Sequence, residues 1–367
     1  MTGAVQVIGV GSHLPGEPIS SARIEELVGA LPEEVARDIS IEARHWMIDP
    51  ATGAHLDTNS GMCEKAAQAA LRSAGITADE IDLLIVATAT PEYPLPPTVN
   101  LVQDRLGAGR CATIELRAAG AGAVQAMEIA RLYLASGAYR TALVIGSEAS
   151  SPALAPIFLG VPPNKVRIRD RIPTFMFGDG AGAVVLRRQE GTTGGLIGGA
   201  TGAVGPGRPA GIRVVGGGTH APIHEQQAAK RLVTLAVDVV SAGAYAPVLV
   251  ASAIGETLER CAAAPESVDV CVVPEGNAGW MREALADADL DRDEWKRLDG
   301  EFVDSLSRRG ALGCAGPLVC LDDAWRAGKL KPGQRVLLVG VESSKWVHAG
   351  VLVDWTLPFP SFAGEAA

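Results

Sequence analysis

Two bends in this sequence could each present a chemical group to a pocket, and the first of them lies around Gly120. The apolar run Ala112–Leu116 leads through a small-residue bend into an alanine-rich stretch, which predicts a strand, a tight bend and a helix from Ala121 to about Tyr133. The first N–H groups of a helix have no partner within it and carry the positive end of its dipole, so they can bind a developing negative charge. Glycine, however, has no side chain that could act as a nucleophile.

The second bend, residues 312–316, carries Cys314. A thiol at such a position could attack an acyl carbon, but a small cysteine between glycine and alanine is far more often a packing residue. The other cysteines fall on strand or helix patterns, and we expect them in the core. His220 and His224 have the i, i+4 spacing of metal ligands, yet Pro222 prevents a regular helix and no partner ligand lies nearby, so we expect no metal site.

A third candidate group is the carboxyl group of Glu275, which follows the apolar run 268–273 and a proline. Facing a deep pocket, this carboxylate could act as a general base with a pKa raised by desolvation, or donate a hydrogen bond when neutral. It could equally be a wall residue fixed to a neighbouring N–H group or arginine, with no proton transfer. The residues alone leave these roles open.

The elements that would position these groups occur twice along the chain. Near-continuous runs of Val, Ile and Leu predict strands buried on both faces, and the alanine-rich stretches between them predict helices with an apolar face. We therefore expect an α/β fold with two duplicated halves, residues 1–187 and 188–367. The repeated pairs are 81–86 with 268–273, 117–122 with 309–316, and 141–150 with 335–344.

Four segments resemble ketoacyl-acyl-carrier-protein synthase III, a condensing enzyme of the thiolase superfamily, and they occur in the order of that family. The segments are 86–107, 114–122, 177–186 and 330–340. The resemblance covers nearly the whole chain and implies the five-layer αβαβα thiolase fold. It also implies a homodimer, or a heterodimer with a paralogue, and a proline-containing loop at 152–171 that lines the pocket entrance. The Phe177-Gly-Asp-Gly-Ala-Gly segment is structural in that family, and we expect Asp179 to cap neighbouring main-chain groups.

The same resemblance implies that the three catalytic side chains of the family are missing. Gly120 matches the nucleophilic cysteine, Glu275 the histidine, and Ala311 the asparagine. What this leaves for catalysis is the main-chain N–H of Gly120 at the position of the lost nucleophile, and the carboxyl group of Glu275.

Four residues are implied to line the substrate site. Leu95 belongs to a loop that reaches into the partner's tunnel in the family, where it replaces an aromatic residue. Ala311 and Asn277 lie at or beside the altered catalytic positions. Ser344 lies in a bend that is glycine-rich in the family and bulkier here.

Two functions follow from this resemblance. The first is an acyltransferase of specialised (secondary) metabolism. It would move an acyl group from an acyl carrier protein or coenzyme A thioester to a small-molecule acceptor, with Glu275 as base, no covalent acyl-cysteine and no bound cofactor. The second is a non-catalytic partner subunit of an active paralogue. Loss of every side-chain catalyst favours the second, whereas an acidic residue at the histidine position and the glycine at the bend favour the first.

Composition narrows the class of protein. At 367 residues and 47% hydrophobic, the chain can bury a large core. Its net charge of −10 argues against nucleic acid as a partner. No run of 18 apolar residues is present, so we expect no membrane span. Six cysteines without a CxxC pair or a secretion signal predict reduced thiols and a cytoplasmic protein.

Overall fold

The computed structural model describes residues 3–204, 207–216, 218–228, 235–274 and 302–359. Its strands are β1 Ala4–His13, β2 Ile19–Ser20, β3 Ala43–Arg44, β4 Leu83–Ala87, β5 Ala112–Leu116, β6 Thr141–Glu148, β7 Gly180–Gln189, β8 Gly195–Ala203, β9 Ile212–Val214, β10 Leu235–Val237, β11 Val270–Val272, β12 Phe302–Val303, β13 Arg335–Glu342 and β14 Val347–Asp354. Its α-helices are α1 Ser21–Val28, α2 Glu33–Ile39, α3 Asn59–Ala74, α4 Thr98–Leu106, α5 Ala119–Ala135, α6 Ser151–Phe158, α7 Ile168–Met176, α8 Ile223–Ala228, α9 Val239–Arg260, α10 Leu306–Arg309 and α11 Gly316–Arg326.

Two five-stranded sheets have the same topology. The first has the order β1-β7-β6-β4-β5, and the second has the order β8-β14-β13-β11-β12. In both, the first three strands pair antiparallel and the last three pair parallel. The predicted duplication is therefore present in the strand order. The boundary at residues 187 and 188 stays a prediction, and β7 itself runs on to Gln189.

The sheets and helices form the expected five layers. Helices α5 and α11 lie between the sheets, since each packs against strands of both. Helices α3 and α4 cover the outer face of the first sheet, and α9 covers the outer face of the second. One apolar cluster fills the space between the sheets and one lies under each outer helical layer, which is why the core strands are almost wholly apolar.

The predicted elements around the first bend are confirmed, with one shift. β5 covers Ala112–Leu116 as expected, and the helix after it begins at Ala119, two residues before the predicted start. The small side chains of residues 118–123 allow this early start because they add no bulk where the helix enters between the sheets.

The expectation of a loop at residues 152–171 is wrong. The segment contains α6 and the first residues of α7, each with a proline inside it, Pro156 and Pro173. Proline disfavours a helix interior in general, but both helices are short and packed against each other, so tertiary contacts outweigh the local preference. Within the described residues, no helix is long and apolar enough to cross a membrane.

Candidate active site

A cavity of about 410 Å³ opens where the two halves of the molecule meet. It brings together three residues that the sequence assigns to the site: Gly120 at the start of α5, Ala311 after α10, and Ser344 after β13. Residues of α6, α7 and the ribbon of β9 and β10 complete its wall. The predicted pocket at the first bend is therefore present in the fold.

Small residues line the cavity at the first bend. Ala119 has a left-handed backbone, with φ +34°, which is strained for a residue with a side chain. Gly120 is buried, and its carbonyl oxygen faces β13 so closely that a Cβ on Gly340 would lie 2.5 Å from it. Backbone therefore packs against backbone here, and Gly120 adds no side chain to this wall.

Ala311 offers the cavity no polar side chain. Its main-chain N–H donates to the carbonyl oxygen of Met176 at 2.8 Å, and its own carbonyl accepts from the N–H of Gly178 at 3.0 Å. These two bonds tie the residue to the segment after α7 like a short strand pair. Ala311 is thus an apolar and fixed part of the wall.

Glu342 and Ser344 form a self-contained bend at the end of β13. The carboxyl group of Glu342 is buried and accepts from the main-chain N–H and the hydroxyl of Ser344, the latter at 2.8 Å. It also accepts from the N–H of Lys345 at 3.3 Å. Ser344 lines the cavity as predicted, but its hydroxyl is already bound to a carboxylate, so it is not free to donate to a substrate in this state.

Glu148, at the end of β6, is a further ionisable residue of the cavity wall. It is 5% exposed and accepts hydrogen bonds from the Ala89 N–H (3.2 Å), the Thr90 hydroxyl and the Cys314 N–H (3.2 Å). Burial raises its pKa to about 7, although these hydrogen bonds act in the opposite direction. A carboxyl group that titrates near neutrality can both accept and donate a proton.

Sequence reasoning missed Glu148, although a signal for it was present. Residues 141–150 and 335–344 repeat each other, and Glu148 and Glu342 occupy the same place in the two copies. The duplicated topology places the ends of β6 and β13 at equivalent points of their sheets, and both glutamates line the one cavity. A repeated acidic residue at the end of an apolar strand was the recognisable pattern.

The predicted capping role of Asp179 is confirmed. Its buried carboxyl group accepts from the N–H groups of Met47, Ser150 and Ser151. Burial raises its pKa to about 6. Through these bonds Asp179 holds the segment that follows β6, and with it the position of Ser150 in the cavity wall.

Leu95 does not line the cavity of its own chain. It is 80% exposed in the loop after β4, next to the likewise exposed Tyr93, and the Leu95–Pro96 peptide is cis. Its assignment to a substrate site stays a prediction that depends on a second subunit. Glu275 and Asn277 lie outside the described residues, so their roles also stay predictions.

The thiol of Cys314 is a packing group. It is completely buried, and a Cβ on Gly122 would lie 3.2 Å from its sulfur. Burial, together with the neighbouring Glu148 carboxyl group, raises its pKa well above the ordinary value, so the reactive thiolate is not formed near neutral pH. Cys63, Cys271 and Cys320 are also buried, whereas Cys111 and Cys261 are only half-buried.

Two arginines, Arg117 and Arg213, lie at the exposed rim of the cavity. They give its mouth a positive character, while Glu148 and Glu342 lie deeper. Among the described residues, no group of three His, Cys, Asp or Glu side chains is arranged to hold a metal ion. His224 lies exposed beside Glu225, and the helix containing it begins only after Pro222.

Comparison with known proteins gives one consistent result. The family model of 3-oxoacyl-[acyl-carrier-protein] synthase III matches residues 114–205. The β-ketoacyl-[acyl-carrier-protein] synthase III of Desulfitobacterium hafniense is 30% identical over 354 residues, 96% of this chain and 98% of that protein. The enzyme of the same name from Caldanaerobacter subterraneus is 29% identical with the same coverage.

Solved structures agree with the sequence comparison. The 3-oxoacyl-[acyl-carrier-protein] synthase III of Aquifex aeolicus superposes with a TM-score of 0.75 at 25% identity, over 96% of this chain and all of that one. A tetronic acid condensing enzyme superposes with a TM-score of 0.78 at 28% identity, over 95% and 99% of the two chains. With its two equivalent sheets around two central helices, this chain has the thiolase fold and belongs to the β-ketoacyl-[acyl-carrier-protein] synthase III family.

Proposed function

We propose that this protein is an acyltransferase of specialised metabolism that works without a cysteine nucleophile. It takes an acyl group from a thioester of acyl carrier protein or coenzyme A and passes it directly to a small-molecule acceptor. The observation that carries the proposal is the cavity wall at Gly120, where the main chain lies in place of a reactive side chain. Among the described residues, no cysteine lines this cavity.

Direct transfer needs a polarised thioester carbonyl and an activated acceptor. Gly120 lies in the first turn of α5, where main-chain N–H groups have no partner within the helix and can stabilise the oxyanion of a tetrahedral intermediate. Glu275 is the base that the sequence assigns to the acceptor. The acceptor hydroxyl or amine would attack the carbonyl carbon, and the thiol of the donor would leave.

Decarboxylative condensation is disfavoured in this cavity. Ala311 cannot donate a hydrogen bond from its side chain to an enolate, and Gly120 has no side chain that could hold the acyl group during a condensation. Two side-chain contributions to condensation are therefore missing from this wall.

The comparisons support the donor class and the metabolic setting. The relatives are named as synthases acting with acyl carrier protein, and one structural neighbour is a tetronic acid condensing enzyme. The arginines at the cavity rim would attract an anionic donor, and this attraction would offset the repulsion between the donor and the overall charge of −10.

A non-catalytic partner subunit is the second candidate function, and the lack of a catalytic side chain at both Gly120 and Ala311 in the cavity wall favours it. The exposed apolar side chains of Tyr93 and Leu95 are expected of a loop that is buried in a dimer, either with a second copy of this chain or with a paralogue. In this reading the chain would complete the tunnel of an active paralogue, and the cavity at Gly120 would bind no reacting group. A homodimer in solution would support the enzyme, and obligate copurification with a paralogue would support the subunit.

The experiment measures both the cleavage of the thioester donor and the mass of the protein. The purified chain is incubated with octanoyl-coenzyme A, with glycerol or ethanolamine as acceptor. Thiol release is read with a disulfide reagent, and the protein is sampled by intact mass spectrometry. We expect an acylated acceptor and free thiol without any mass increase of the protein. An acyl adduct on the hydroxyl of Thr90, Ser150 or Ser344, or on any cysteine, would contradict direct transfer.

Glu275→Gln tests the assigned base. If Glu275 activates the acceptor, the variant should lose about 100-fold or more of kcat while its thermal unfolding stays unchanged. Unchanged turnover in a folded Gln variant would remove Glu275 from the mechanism.

A further inference from the structure

The two equivalent glutamates of the cavity are bound in different ways. Among the described residues, Glu342 accepts from its own bend, through Ser344 and Lys345. Glu148 instead accepts from two other parts of the chain: the segment after β4, which holds Thr90, and the second bend, which holds Cys314. Glu148 therefore sits at a junction of both halves, at the wall of the cavity.

We propose that Glu148 is a proton-transfer residue of this site, which takes the proton of the attacking acceptor and passes it to the departing thiolate. The inference deepens the proposed direct acyl transfer and rests on it. It assigns the acceptor proton to a residue that the described structure places in the cavity, so that in this role Glu148 takes the place of Glu275.

Gly313 allows the carboxyl group to lie beside the second bend. This glycine also lines the cavity, has φ +49°, and would place a Cβ only 2.4 Å from Oε2 of Glu148. Any side chain at this position would displace the carboxyl group from its place in the cavity wall. The glycine thus lets Glu148 remain in the wall and accept from the N–H of Cys314.

The donors to Glu148 can adapt to a change of its protonation. The Thr90 hydroxyl can rotate, and Thr90 also accepts from the N–H of Ala149 at 2.8 Å, which holds the residue in place when its proton turns away. The two N–H groups of Ala89 and Cys314 fix the carboxyl group in position but do not exchange protons. The main-chain N–H groups therefore hold the carboxyl group in place, while the Thr90 hydroxyl can reorient when the carboxyl group gains or loses a proton.

Electrostatics give Glu148 a suitable proton affinity. Burial raises its pKa to about 7, the range in which both forms are populated near neutral pH. The charged groups that share its cavity are Glu342, Arg117 and Arg213, and the adjoining Cys314 thiol stays neutral because its own pKa is raised. Bringing a second anion into the cavity would raise the pKa of Glu148 further.

The step is balanced without any other reactant. A bond forms between the acceptor oxygen or nitrogen and the acyl carbon, and the carbon–sulfur bond of the donor breaks. The proton leaves the acceptor for Glu148 and then joins the thiolate, so Glu148 returns to its starting form after each turnover.

The test compares Glu148→Gln with Thr90→Val in the octanoyl-coenzyme A assay described above. We expect wild-type kcat/KM to rise with pH around a midpoint near the pKa of Glu148, which is about 7. Glu148→Gln should lose about 100-fold or more and also lose this pH-dependent rise. Thr90→Val should keep the rise but move its midpoint to higher pH, because removing a donor to the carboxylate raises its pKa.

A purely structural Glu148 gives a different result. A folded Glu148→Gln variant with the wild-type pH profile, or a Thr90→Val variant with an unshifted midpoint, would overturn the proposal while leaving direct transfer standing. Wild-type protein that releases no thiol from the donor would instead overturn the proposed function, and the role of Glu148 with it. Unfolding curves of all three proteins at pH 6 and 8 verify that the variants are folded.

Discussion

The bends at Gly120 and Cys314 are two copies of one structural unit, but they differ in the chemical groups that they carry and in the exposure of those groups. The first bend belongs to the half with the first sheet and leads into the central helix α5. The second bend belongs to the half with the equivalent sheet and leads into the central helix α11. The first bend lines a cavity and carries no nucleophilic side chain there. The second carries a thiol, but that thiol is completely buried. Both bends line the cavity, but the bend that carries a thiol does not present that thiol to it.

Packing explains the difference. Gly146 on β6 lies so close to the second bend that a Cβ there would be 2.1 Å from the carbonyl oxygen of Cys314. Gly122 in α5 leaves the room that the sulfur occupies. Glycines in the first half thus let the second bend pack against it, and burial keeps the thiol protonated. Equal topology does not give equal chemistry when one bend is covered.

The largest expected effect comes from restoring a thiol to the first bend. In Gly120→Cys, the new side chain lies in the first turn of α5, where the helix dipole lowers a thiol pKa. We expect a stoichiometric acyl adduct after incubation with octanoyl-coenzyme A, seen by intact mass spectrometry, and none in the wild type. An equal adduct on wild-type Cys314 would reverse the comparison of the two bends.

Adding a methyl group at the close contact between β6 and the second bend should lower the free energy of unfolding. In Gly146→Ala, the added methyl group meets the carbonyl oxygen of Cys314 and the side chain of Ala123, and we expect a loss of about 3 kcal/mol in the free energy of unfolding. The matched control is Gly109→Ala, whose nearest atom would be 3.6 Å away, with an expected change below about 1 kcal/mol. Denaturant unfolding measures both, and similar values for the two would refute the close-packing argument.

The buried carboxyl group of Glu148 should make the free energy of unfolding depend on pH. Burial raises the pKa of Glu148 from 4.5 to about 7. Between these values the folded state holds a proton that the unfolded state has lost, so stability falls as pH rises through this window. Glu148→Gln removes this loss. The variant should therefore gain about 2–3 kcal/mol relative to wild type between pH 4.5 and 7.5, measured by urea unfolding. A constant difference across this range would show that Glu148 does not titrate there.

The smallest effect is expected for Cys314→Ala. Removing one buried sulfur should cost about 1–2 kcal/mol, and turnover should stay within about twofold of wild type because the thiol takes no part in the reaction. Cys111→Ala, at a half-buried position, serves as the matched control with a smaller cost. Loss of activity in Cys314→Ala with an intact fold would show that the second bend does contribute chemistry.

Local pattern was enough to place the first bend and its flanking elements. The strand Ala112–Leu116 was predicted to the residue, because a short segment with an apolar residue at every second position, next to a small-residue bend, has few alternatives. The repeated segments predicted the equivalent sheets for the same reason. Helices α6 and α7 were missed, since their prolines oppose helix formation locally and only packing against neighbouring elements stabilises them.

The sequence by itself determined which side chains this site lacks, because residue identity at Gly120 and Ala311 needs no coordinates. Only the tertiary structure decided that Glu148 faces the cavity, that Ser344 is bound to Glu342, and that the thiol of Cys314 is covered. Burial and proton affinity depend on segments far apart in the chain that meet in the fold. Contacts of this kind are hard to predict from the local sequence pattern. Here the sequence signal was a glutamate repeated at the ends of two equivalent strands.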